Sequence, residues 1–255
     1  MVVGLESFRK WFEGYEKEYV IIGGAACDLI MDREGLTFRA TKDLDIVILV
    51  EMLTPSFGRR LWDYILEGEY KHLNKSTGRP QFYRFSSPKS NEFPSMIELF
   101  SREIDSISLP RKAVLTPLPI GDELSSLSAI LLNRSYYDFL LEGQTIIEEM
   151  PILRPEYIIP FKAKAWLDLS RRAFVGEKID SKNIRKHKND VFRLAVLITE
   201  EMKIILPKEI GDDMELFIEA MDEESIDLKS IGVPSASKGA LLKLLRSCYF
   251  ELFEY

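Results

Sequence analysis

An α+β half followed by a helical half is the fold class that the sequence predicts. Two observations carry that expectation. Short apolar and β-branched runs that end at turn residues recur over the first hundred positions, whereas apolar spacing of 3–4 residues dominates from Glu156 onward. In the first half, Phe8, Trp11, Phe12 and Tyr15 are spaced as on a helix within Leu5–Glu18. Tyr19–Ile22 reads as a buried strand closed by the turn residues Gly23 and Gly24, and Ala25–Met31 as a helix. Leu44–Val50 is apolar apart from Asp45, the pattern of a central strand, and Phe57–Leu66 follows as a helix. Phe82–Phe85 and Ser95–Phe100 read as strands around a turn-rich segment. Beyond the punctuation Thr116-Pro117-Leu118-Pro119-Ile120-Gly121, Leu124–Leu132 and Tyr136–Leu141 read as further strands turning at Asn133-Arg134-Ser135. Helices are expected at Tyr157–Arg172, Ser181–Lys203, Asp212–Met221 and Lys238–Phe253. The expected division is therefore residues 1–150 and 151–255.

Composition narrows the class. Hydrophobic residues make up 46% and charged residues 29% of the 255, which is the profile of a folded globular chain and not of a disordered or fibrous one. Two cysteines, Cys27 and Cys248, exclude a disulfide scaffold and cannot by themselves build a structural zinc site. No apolar run approaches the roughly 20 residues needed to cross a bilayer, and Met1–Lys10 lacks the apolar core of a signal peptide. The expectation is a cytoplasmic protein with no membrane partner.

Net charge is −7, which argues against a protein that coats nucleic acid along its whole surface. The sum hides a strong asymmetry. Residues 161–193 hold ten Lys/Arg against four acids, a local +6, so the remainder carries −13. Residues 199–228 hold eleven acids against two lysines. Such runs are ordinarily solvated faces, although a basic segment can also meet phosphate and an acidic one a basic protein.

Three features concentrate chemistry. Val20-Ile21-Ile22-Gly23-Gly24-Ala25-Ala26 is a strand–turn–helix whose glycines let the backbone approach a ligand, while the helix start offers free N–H groups to an anion. Paired glycines serve close packing equally well. Arg39-Ala40-Thr41-Lys42-Asp43-Leu44-Asp45 places two carboxylates two residues apart at the start of a strand, hence on one side of it. Two acids there are costly unless a cation neutralises them, and hard cations such as Mg²⁺ take oxygen ligands of this kind. Solvated strand-end acids are the plain alternative. Finally, Ser95-Met96-Ile97-Glu98-Leu99-Phe100 carries one acid in an apolar strand. If that strand lies beside Leu44–Val50, Glu98 joins Asp43 and Asp45 in a three-carboxylate cluster, the kind of site that holds two divalent ions for phosphoryl chemistry.

In this order, Gly23-Gly24, Asp43-x-Asp45 and the apolar-Glu98-apolar strand resemble the nucleotidyltransferase superfamily that includes DNA polymerase β. Arg39-x-Thr41-x-Asp43-Leu44-Asp45 is similar to the AbiEii-type nucleotidyltransferases, many of them toxins of bacterial toxin–antitoxin or abortive-infection systems. Lys164-Ala165-Trp166-Leu167-Asp168-Leu169-Ser170-Arg171 and Lys186-His187-Lys188-Asn189-Asp190-Val191 extend the resemblance, which spans about Tyr19–Leu197.

The resemblance implies a nucleotidyltransferase-like mixed sheet flanked by helices and followed by a C-terminal helical bundle. It implies that Asp43, Asp45 and Glu98 are the catalytic residues and bind Mg²⁺ or Mn²⁺. An NTP would be held by Gly23, Gly24, Arg39, Thr41 and Lys164, with Arg171 and Asp190 in support. An RNA or tRNA acceptor and an antitoxin partner are further implications. Ala25 departs from the pattern, since members commonly carry Ser or Thr after the two glycines; a hydroxyl contact to the triphosphate is then missing. Three alternatives stay open: a protein acceptor, a small-molecule acceptor, or a catalytically silent nucleotide- or protein-binding module on the same fold.

Overall fold

The structure is a computed structural model that describes residues 2–49, 51–71, 84–101, 130–131 and 133–250. The chain divides into two compact units. The first comprises Met1–Leu124 with Gln144–Leu153, and the second Ser125–Gly143 with Arg154–Tyr255. Together they make a mixed α/β protein with one six-stranded mixed sheet and eight helices among the described residues.

The first unit runs α1 (Leu5–Trp11), β1 (Tyr19–Ile22), α2 (Gly23–Arg33), β2 (Asp43–Ile48), α3 (Pro55–Glu67), β3 (Arg84–Ser86) and β4 (Met96–Ser101). The hairpin β5 (Gln144–Ile147) and β6 (Met150–Leu153) completes it. The strand order is β3-β4-β2-β1-β6-β5. β2 is antiparallel to β1 and parallel to β4, and β1 is parallel to β6. All four residues of β1 are buried, as its unbroken apolar run requires of an interior strand. Phe8 and Phe12 of α1, Tyr19 of β1, and Phe57 and Tyr64 of α3 pack as one aromatic cluster with centroids 4.3–6.0 Å apart. Helix α3 starts where a capping signal sits: the Thr54 hydroxyl accepts from the Phe57 N–H, and Pro55 occupies the first turn. Buried Glu18 locks that cap by accepting from the Thr54 N–H at 2.7 Å. Helix α2 ends in a Schellman arrangement, with Gly35 at φ +70° and the Leu36 N–H donating to Met31.

The second unit is helical: α4 (Arg134–Glu142), α5 (Pro155–Phe174), α6 (Ser181–Ala195), α7 (Lys208–Glu223) and α8 (Lys238–Phe250). Its core joins Tyr136 of α4 to Phe161 of α5, edge to face at 5.2 Å, and Trp166 of α5 to Phe217 of α7 at 5.5 Å. Helices α5 and α6 form a hairpin through residues 175–180, and Asp180 caps α6 by accepting from the Lys182 N–H.

Several expectations require correction. Tyr136–Leu141 is helical, not a strand. Asn133 caps α4 by accepting from the N–H groups of Ser135 and Tyr136, and Tyr136, Tyr137, Phe139 and Leu140 then fall on one buried face. A six-residue segment with five apolar or aromatic positions does not by itself distinguish the two periods, and the cap decides. The expected strand Leu124–Leu132 falls mostly outside the described residues, of which Ile130 and Leu131 are helical. The punctuation at Thr116–Gly121 and the first half of the expected strand Phe82–Phe85 also lie outside them. Helix α1 ends at Trp11 and α6 at Ala195, seven and eight residues short of the ends of their expected spans.

Candidate functional site

β2 occupies an interior position of the first unit's sheet, with β1 on one side and β4 on the other. Its residues Asp43 and Asp45 share one face because side chains alternate along a strand. β4 runs parallel to it in the register Asp45↔Glu98, so the strand pairing required for a three-carboxylate grouping is present. Adjacent strands lie about 4.8 Å apart, which makes Asp45 and Glu98 direct neighbours on that face.

The glycine turn is fitted to the same place. Ile22, the last residue of β1, is paired with Asp45, and the chain turns there into α2. Gly23 has φ +67°, a backbone conformation that L side chains rarely adopt. A Cβ on it would stand 1.9 Å from the Asp45 Oδ2, and a Cβ on Gly24 would stand 2.5 Å from the Thr41 Oγ1. Two glycines are thus needed for two separate approaches, one to a carboxylate and one to a hydroxyl. The helix cap is Ile22, whose side chain offers no acceptor to the first N–H groups of α2. Arg39 lies in the irregular segment that leads to Thr41 and β2, its guanidinium 5.1 Å from the Phe38 ring centroid.

Arg84 is a member of this face that the sequence reading missed. It pairs with Glu98 across the antiparallel β3–β4 ladder, and its Nε donates to Glu98 Oε1 at 2.7 Å. The Glu98 side chain is 14% exposed and that of Arg84 40%, so the pair is partly shielded from water. The signal was the alternation Arg84-Phe85-Ser86, with the arginine on the face opposite buried Phe85, but register with Glu98 is a tertiary fact. Among the described residues, no group of three or more His, Cys, Asp or Glu stands close enough together to hold one metal ion. Asp43, Asp45 and Glu98 share a face, while Glu98 faces Arg84.

Lys164, Arg171 and Asp190 belong to the second unit. Lys164 Nζ donates to Asp213 Oδ1 at 2.8 Å, and the Tyr136 hydroxyl donates to Asp213 Oδ2 at 3.0 Å. Burial first, and the neighbouring Asp213 charge second, hold the Tyr136 hydroxyl far above its usual titration range. Asp190 is completely buried between Lys162 at 3.2 Å and Arg193 at 3.0 Å. Arg171 is exposed and reaches Asp168 at 3.3 Å. The opposed charge runs therefore partly neutralise each other inside this unit: the acidic stretch supplies Asp213 to Lys164 and Glu224 to Lys188.

No helix among the described residues is long and apolar enough to cross a membrane. Comparison of the chain with protein-family models, with curated proteins and with solved structures finds no match.

Proposed function

We propose that the chain is a metal-dependent nucleotidyltransferase that moves an NMP unit from an NTP to an acceptor hydroxyl, with RNA as the acceptor. The observation that carries the reading is the fit of Gly23 onto Asp45 on the sheet face that Asp45 shares with Asp43 and Glu98. The family resemblance of these same residues supports it. In the reaction the acceptor hydroxyl gives up its proton to solvent as its oxygen bonds the α-phosphorus, the bond from that phosphorus to the bridging oxygen breaks, and pyrophosphate leaves. Gly23 and Gly24 would bring the bare start of α2 to the triphosphate, where N–H groups and the helix dipole favour negative charge. Asp43 and Asp45 offer hard oxygen donors that suit Mg²⁺ or Mn²⁺, and Glu98 joins them once its carboxylate turns from Arg84. The ions would offset phosphate charge and lower the pKa of the attacking hydroxyl. Arg39 and Thr41 would line the nucleotide's approach beside the glycines. The toxin-like role of the resembled group, with an antitoxin partner and a cytoplasmic location, belongs to the same proposal.

The test is incubation of the protein with each α-labelled NTP, Mg²⁺ and total RNA, beside Asp43→Ala. Label should enter RNA with the native chain only. Equal transfer by the variant overturns the assignment. Growth arrest on expression, lost with Asp43→Ala, tests the toxin role. Ala25 and the Arg84–Glu98 pair favour one second reading, a nucleotide-binding module without transfer. Calorimetry that shows NTP binding without label transfer selects it.

A further inference from the structure

The ten cations of residues 161–193 fall into two sets. Lys162, Lys164, Lys188 and Arg193 are spent inside the second unit on Asp190, Asp213 and Glu224. Of the other six, Arg171 and Arg172 pair with Asp168 and Glu177, Lys186 has a partner of its own, and Lys178, Lys182 and Arg185 lie around the hairpin tip where α5 gives way to α6. There Arg171 is 77% exposed, Lys178, Lys182 and Arg185 are exposed, and no ion pair among the described residues engages those last three. The tip also carries Phe174 at 91% exposure, followed by Val175 at 68%. Phe174 lies three residues after Arg171 on α5, hence on the same helix face.

A phenylalanine stripped of packing gains nothing for the fold, and a single exposed apolar side chain would need no explanation. This one shares the tip with Lys178, Lys182 and Arg185, exposed cations that no ion pair among the described residues engages. Cations attract phosphate, and a flat aromatic face offers stacking to an unpaired base; the ligand that presents both in repetition is a single strand of nucleic acid. Lys182 and Arg185 climb α6 on one face by about 4.5 Å at 1.5 Å per residue, and a flexible strand can follow such a climb. We infer that the α5–α6 tip is a docking surface for single-stranded RNA, on which Phe174 stacks one base while Lys178, Lys182 and Arg185 neutralise the adjoining phosphates. The choice of RNA over DNA rests on the acceptor proposed above; the stacking surface itself does not.

The experiment is fluorescence anisotropy of a labelled 15-nucleotide oligouridylate titrated with the full chain, without NTP or divalent metal, so that failure of transfer and failure of docking are read separately. Phe174→Ala should weaken binding roughly 5- to 150-fold, the factor that 1–3 kcal/mol of stacking represents, with no change in the slope of log affinity against log salt. Phe174→Trp should bind within about twofold of the native chain. The double variant Lys182→Gln/Arg185→Gln should weaken binding and flatten that slope by about 1.4, at about 0.7 per phosphate for single strands. A melting temperature unchanged in Phe174→Ala confirms that the tip is not packing. Native affinity in Phe174→Ala, or no binding by the native chain, overturns the inference. So does a Phe174→Ala variant that keeps RNA affinity but loses anionic-vesicle binding or self-association.

Discussion

Gly23→Ala separates the two things that Gly23 does. At φ +67° an added Cβ costs about 1–2 kcal/mol of backbone strain, and it lands 1.9 Å from the Asp45 Oδ2. Real Cβ contacts essentially never fall under 3.0 Å, so the carboxylate must retreat by about 1.1 Å, or the turn must move by as much. A shift of about 1 Å in a positioned group can cost about 10²-fold in rate. Gly35→Ala is the matched control, because Gly35 has φ +70° with nothing within 4 Å of its Cβ. Both variants should lose about 1–2 kcal/mol, read as a fall of roughly 2–8 °C in melting temperature. Only Gly23→Ala should also lose about two orders of magnitude in NMP transfer, measured by label incorporation under saturating NTP. Near-native transfer in Gly23→Ala refutes the reasoning, as does an equal rate loss in Gly35→Ala.

Arg84→Gln leaves Glu98 beside Asp45 without its counter-charge; it should destabilise the chain by about 1 kcal/mol in chelator and recover with Mg²⁺, as followed by thermal melts. Recovery should be absent if no ion binds this face. Asp190→Ala removes the buried carboxylate that Lys162 and Arg193 share and should cost about 3–5 kcal/mol, so thermal melts will show a large loss where a purely nucleotide-binding Asp190 would leave stability unchanged. Asp43→Asn removes one of two like charges on the face while preserving shape, and should abolish transfer with a melting temperature equal to or slightly above the native one. Burial first, then the Glu156 charge, pushes the Cys248 thiol up to about 12 from its ordinary 9.0. The neutral buried thiol therefore contributes stability below pH 9 that is lost as pH rises toward 12, and Cys248→Ala should flatten the alkaline fall in melting temperature. In the native chain Cys27 and Cys248 should resist a disulfide reagent at pH 8 until denaturant is added.

Local chemistry explains which parts of the fold could be read in advance. β1 was recoverable to the residue because an unbroken apolar run ending in two glycines has one economical reading. The β5–β6 hairpin was missed for the opposite reason. Its turn places Glu148 and Glu149 at φ +48° and +64°, positions that usually advertise themselves as Asn-Gly. Tight pairing of the flanking strands carries the strain, and no residue type announces it. Helix α4 was misread because the deciding cap, Asn133, also serves as a turn residue. For the site, residue types identified Asp43, Asp45 and Glu98, but only strand register places Glu98 opposite Asp45, and only the β3 ladder brings Arg84 to it.

The case for a site on this face is a coincidence of local costs. An interior strand would be cheaper with apolar residues at Asp43 and Asp45, and its neighbour cheaper without Glu98. A turn would be cheaper without a left-handed residue whose lost Cβ is demanded by a carboxylate. Each cost has an innocent cure in another residue choice, and each cure would stabilise the fold. All of them fall on or beside the face of β2 that carries Asp45, and Arg84 pairs with Glu98 there. Features that burden a fold collect where something other than the fold requires them. The function proposed above would account for this set: an anion approached by the N–H groups at the start of α2, beside carboxylates able to hold a cation. A nucleoside triphosphate with its divalent ion presents both charges in one ligand, so a phosphate alone should bind this face more weakly than the metal-bound nucleotide.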